Sequence, residues 1–75
     1  MKNRDIFITN HTEKAQGFAV TIPLDGYPAD VVLKVARRMR PDSIWTDDEN
    51  CYAVARSMGI DITFLKWEGL FTKDI

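Results

Sequence analysis

From Gly17 to Leu24 the chain alternates, with Phe18, Val20, Ile22 and Leu24 on one side and Gly17, Ala19, Thr21 and Pro23 on the other. That is the period of a half-buried strand. Upstream, Asp5-Ile6-Phe7-Ile8-Thr9 is short and rich in β-branched residues, a second strand. The polar stretch 10–16 between them reads as the loop of an antiparallel pair. Pro23 has no N–H for a ladder, so it belongs at a strand end or on a sheet edge.

The period then changes. Asp25-Gly26-Tyr27-Pro28 supplies a turn, and Pro28 suits the first turn of a helix predicted over residues 28–39. Val31, Val32, Val35, Ala36 and Met39 fall on its predicted buried face, and Lys34, Arg37 and Arg38 on the opposite one. Arg40 and Pro41 mark its end. A second helix is predicted over 47–58, with the stripe Cys51, Val54, Ala55 and Met58. Thr46-Asp47-Asp48-Glu49 matches a capping box, and Gly59 is placed to end the helix in the left-handed region. Residues 60–67 are β-branched and aromatic, and read as a strand. With Ser43-Ile44-Trp45 as a further short strand, residues 43–67 form a strand–helix–strand unit. The expected architecture is α+β: a small mixed sheet with two helices on one face, in the order ββαβαβ.

Composition narrows the setting. A chain of 75 residues with 45% hydrophobic and 28% charged positions has the balance of one globular domain, expected to span residues 1–75. Ten Lys and Arg against eleven Asp and Glu leave a formal charge of −1, so no overall field favours nucleic acid or an anionic membrane. The single cysteine, Cys51, forms no internal disulfide, which points to a reducing, cytoplasmic compartment. No run approaches the ~20 apolar residues of a membrane span, and the polar start lacks the apolar stretch of a secretion signal.

Candidate chemistry is sparse. Asp42, Asp47, Asp48 and Glu49 are the densest acid cluster, and carboxylates at a strand end can hold Mg²⁺. Helix capping accounts for three of them without a metal, and neither metal nor cofactor is expected. His11 lies in a loop with no nucleophile or acid at a telling spacing, and Cys51 sits on an apolar stripe as a small core side chain. The segment from Ile44 to Ile60, strand, acids, helix and glycine in that order, resembles the corresponding stretch near the end of PIN-type nuclease domains. The resemblance covers about a fifth of the chain and implies that Asp47 or Asp48 takes the place of a metal-binding strand-end acid. In that family acids from earlier strands join it, whereas Asp5-Ile6-Phe7-Ile8-Thr9-Asn10 has no acid after its apolar residues. Val54-Ala55-Arg56-Ser57-Met58-Gly59-Ile60 with Leu65 also fits a helix-turn-helix, in which residues 61–67 would be the recognition helix. That segment offers one basic residue, Lys66, and a β-like composition.

Two surfaces remain as binding candidates. Lys34, Arg37, Arg38 and Arg40 form the basic cluster, whose plain role is a solvated helix face and whose functional role is contact with phosphates or an acidic protein. Leu65 and Trp67 lie on a strand face that Leu70 and Phe71 cover or that a partner meets. Without a nucleophile–base pair, phosphate loop or metal framework, the expectation is a small non-enzymatic regulator, adaptor or inhibitor. Its expected partner is a protein or a second copy of itself. The alternatives are nucleic-acid binding through the basic helix or the helix-turn-helix near 47–67, and metal-dependent hydrolysis at the acids of 42–49.

Overall fold

The computed structural model describes residues 4–14 and 17–66. Four strands and two helices follow one another as β1 (Asp5–Thr9), a single 3₁₀ turn at Thr12–Lys14, β2 (Val20–Pro23), α1 (Ala29–Arg38), β3 (Ser43–Thr46), α2 (Glu49–Ser57) and β4 (Thr63–Phe64). This is an α+β domain in the expected ββαβαβ order, and its sheet runs β2-β1-β3-β4.

Every pairing in the described sheet is parallel. The expected antiparallel first pair, and with it the mixed sheet, is corrected here. The connection from Asn10 to Ala19 is not a hairpin loop: with its 3₁₀ turn it returns the chain to start β2 beside the start of β1. Ile6, Phe7 and Ile8 are all buried, which is the continuous apolar run of a central parallel strand covered on both faces.

The two faces carry different layers. Ile6 and Ile8 align with Val20 and Ile22 on one side, and Ile6 aligns with Ile44 on the other. These residues form one core with Ala29, Val32, Leu33 and Ala36 of α1 and Cys51 and Ala55 of α2, so both helices lie on this face. Phe7 and Trp45 are aligned on the opposite face. There Phe18 stacks on Phe7 with ring centroids 4.6 Å apart and meets Trp45 edge-on at 5.7 Å. Phe18 therefore does not share a face with Val20, Ile22 and Leu24 as the alternation suggests. The chain steps from β1 one way to β2, then back past β1 to β3 and on to β4. Crossovers of one hand that move in opposite directions must lie on opposite faces, which puts the β1–β2 connection and its Phe18 across the sheet from the helices.

Local chemistry sets the boundaries. Leu24 to Tyr27 closes through Tyr27 N–H to the Leu24 carbonyl at 2.7 Å, with Asp25 and Gly26 both at positive φ, 45° and 84°. That is the signature of a type I′ turn. Helix α1 buries Ala29, Val32, Leu33 and Ala36, one step round from the expected stripe, and leaves Val31 and Val35 exposed. The capping box is also corrected. Thr46 is the last residue of β3, its hydroxyl donating to the Ile8 carbonyl and accepting from Asp48 N–H, while Asp48 caps α2 by accepting from Cys51 N–H at 2.8 Å. Gly59, at φ 77°, ends α2 as expected: its N–H reaches the Arg56 carbonyl and Ile60 N–H reaches Ala55, the paired bonds of a Schellman motif. Within residues 60–66 the only regular element is β4, shorter than the expected 60–67 strand, and the helix-turn-helix has no second helix there.

Candidate functional site

Two places in this fold concentrate usable chemistry. The first is where the sheet reverses direction. In open parallel sheets the crevice outside the carboxyl ends of the two strands flanking the reversal is the usual ligand position. Here those strands are β1 and β3, which end in Thr9 and Thr46, both fully buried. The Thr9 hydroxyl donates to the Asp47 carboxylate at 2.9 Å and accepts His11 N–H at 2.8 Å. Asn10 Oδ1 accepts Asp25 N–H, tying the turn after β2 to the end of β1. Beside these groups lies an open cleft of about 210 Å³ lined by Asn10, Leu24, Gly26, Tyr27, Ala29, Asp48 and Asn50.

The cleft is built mainly from neutral groups, and Asp48 already spends a carboxylate oxygen on its helix cap. Asp42, grouped with Asp47, Asp48 and Glu49 in the sequence, lies at the other end of β3, where it accepts Arg4 N–H. The strand thus divides the acid cluster. Among the described residues no group of three or more His, Cys, Asp or Glu side chains is placed to hold a metal ion. Cys51, fully buried behind the cap, is held protonated: burial pushes its thiol pKa up, Thr46 offsets part of this by hydrogen bonding, and Asp48 and Asp47 add to the rise.

The second place is the outer side of α1. The large apolar residues left exposed among those described are Tyr27, Val31 and Val35, at 65%, 46% and 49%. Val31 and Val35 are four apart on α1 and lie in one row along it, and Tyr27, just before the helix, lines the same groove. Lys34 and Arg38 form the next row round. A groove of about 300 Å³ lined by Ile22, Pro23, Tyr27, Val31, Val32 and Val35 joins this apolar row to the edge strand β2. A second, of about 450 Å³, shares Val31 and Val35 and continues to Lys34, Arg37 and Arg38. Among the described residues none of these three cations has an ion pair.

The remaining sequence candidates are dispersed. Arg40 follows α1 in the left-handed conformation, φ 53°, and lines a polar groove with Arg37, Asp42 and Asp61 at the opposite end of the sheet from Asp47. Leu65 is half-buried after β4, on the edge of the sheet away from β2, and its N–H extends the ladder to the Thr46 carbonyl. Trp67 lies outside the described residues. The structure therefore brings Lys34, Arg37 and Arg38 together with apolar residues that sequence reasoning assigned to the core, and separates them from Leu65. The four-residue spacing of Tyr27, Val31 and Val35 was the available signal. Comparison of the chain with family models, with curated proteins and with solved structures returns no match.

Proposed function

We propose that this chain is a small non-enzymatic binding module, a regulator, adaptor or inhibitor that acts by docking another protein on the outer side of α1. The observation that carries this reading is the coincidence of the exposed apolar residues Tyr27, Val31 and Val35 with Lys34, Arg37 and Arg38, which form no ion pair among the described residues. An aromatic and aliphatic centre with an arginine rim is the composition of protein interfaces, and phosphate binding alone has no use for the apolar row. A cytoplasmic location fits the single buried thiol. The test is capture from a nuclease-treated lysate, comparing the wild-type chain with Arg37→Glu/Arg38→Glu and with Val31→Asp/Val35→Asp, each shown by circular dichroism to fold. Loss of the same discrete partner from both variants supports the reading. Retention of every partner by both removes it.

A second reading, metal-dependent hydrolysis, is favoured by one observation: Asp47 and Asp48 stand at the carboxyl end of β3, beside the end of β1, at the sheet reversal. Titration with Mg²⁺ or Mn²⁺ while following the Asn10, Asp47 and Asp48 resonances decides it. Metal-dependent shifts confined to these residues support a site, and no shift at millimolar metal removes it.

A further inference from the structure

We infer that the occupant of this surface is an amphipathic helix whose apolar face is flanked by acidic residues. The inference rests on the protein-docking reading above and adds the partner's secondary structure and charge.

The shape argument comes from the rows. On a helix, residues four apart form ridges, and a second helix packs by laying its own ridge into the groove beside one. Val31 and Val35 make such a ridge, with Tyr27 beyond its N-terminal end, and Lys34 with Arg38 the next, which starts at Asp30, leaving a groove apolar on one side and bordered by Lys34 and Arg38 on the other. Within α1 the ridge spans about 6 Å from Val31 to Val35 at 1.5 Å per residue, and Tyr27 extends it past the start of the helix along the groove that all three line. A strand added to the edge of β2 fits less well, since β2 has four residues and ends in Pro23, which has no N–H to offer.

The charge argument selects the flank. Lys34, Arg37 and Arg38 form no ion pair among the described residues, so a partner bringing carboxylates gains attraction without breaking an existing pair. A second copy docked face to face would set these cations against their own equivalents, which disfavours a symmetric dimer here. A nucleic acid would satisfy the cations but leave Val31 and Val35 in water.

The test uses the full chain labelled for NMR and two synthetic helical peptides with the same Leu/Phe face, one flanked by Glu and one by Lys. The Glu peptide is expected to shift the resonances of Tyr27, Val31 and Val35, and to lose about tenfold or more in affinity between about 0.05 M and 0.5 M salt. Lys34→Glu/Arg38→Glu is expected to reverse the preference, and Val35→Ser to weaken binding of both peptides without changing which is preferred. Equal binding of the two peptides, absence of binding, or shifts mapping away from residues 22–38 overturns the inference. So do the same shifts produced by single-stranded DNA, or shifts at Val31 and Val35 that grow with protein concentration alone. If the peptides fail while both lysate-capture variants lose one discrete protein, the helical acidic partner is wrong and the docking reading stands. If the capture variants keep every partner, the docking reading itself falls.

Discussion

The hydroxyl of Thr9 donates to the carboxylate of Asp47 at 2.9 Å, joining the ends of β1 and β3 at the point where the sheet reverses direction. The two residues are 38 apart in sequence, and Thr9 is fully buried. The same hydroxyl accepts His11 N–H, so one buried atom orients both the chain leaving β1 and the acid leaving β3. The parallel β1–β3 register is therefore tied at its carboxyl end by a side chain as well as by the ladder.

Replacing Thr9 by Val keeps the shape of the side chain and removes both bonds. His11 N–H and the Asp47 carboxylate each lose a partner in a part-buried bond, and an ordinary hydrogen bond contributes about 0.5–1.5 kcal/mol net, so Thr9→Val is expected to destabilise the fold by roughly 1 kcal/mol in urea unfolding. Asp47→Asn keeps an acceptor oxygen and should cost less. A neutral Thr9→Val would show that the bond contributes nothing net.

The start of α2 separates two capping schemes. With Asp48 as the cap, Asp48→Ala should cost about 1 kcal/mol, and Glu49→Ala, whose side chain is exposed, only a few tenths. A capping box from Thr46 to Glu49 demands the reverse order. Thermal unfolding of the two variants at pH 7 reads the difference.

Much of the architecture was legible because it depends on local period. The turn at Asp25-Gly26, both helices, Gly59 and the edge position of Pro23 all follow from residues close in sequence. Strand direction does not. The alternation of residues 17–24 is equally compatible with a parallel or an antiparallel neighbour, and the clue to direction lay in Ile6-Phe7-Ile8, too continuous for a strand with one wet face. The α1 stripe was misplaced because Leu33 and Val35 are equally apolar as letters, and only the packing against Ile6, Ile8 and Ile44 decides which turns inward. The division of the acids by β3 was hidden for a related reason: residues 42 and 47 are near in sequence but lie at the two ends of an extended strand.

Cys51 gives the stability a pH dependence with a definite sign. Its folded-state pKa is raised above that of an unfolded thiol, chiefly by burial. Below about pH 8.5, the unfolded value, both states keep the proton and the thiol's contribution is fully present. Above it the unfolded chain ionises while the folded chain does not, so stability is lost as pH rises towards the folded pKa. The difference in unfolding free energy between wild type and Cys51→Ala should be constant from pH 6 to 8 and shrink above pH 8.5. A constant difference through pH 10 would mean that the thiol titrates normally in the folded state.

Leu33 and Val35 test the orientation of α1, on which the docking surface depends. Leu33 is fully buried in the cluster that joins α1 to the sheet, and Val35 is about half exposed. Truncating a buried leucine removes its transfer energy and leaves a cavity, a combined loss of about 2–5 kcal/mol. For a domain of this size the whole stability is of order 4–11 kcal/mol, so Leu33→Ala should lower the melting temperature severely or prevent folding at 37 °C. Val35→Ala removes two methyl groups from a half-exposed position, and alanine is the better helix former, so the net change should lie within about 0.5 kcal/mol. The stripe read from sequence placed Val35 inside and predicts a substantial loss at that position too. Urea unfolding of the two single variants distinguishes the orientations: equal large losses would turn Val35 inward, remove the apolar row from the surface, and with it the groove proposed to receive a partner helix.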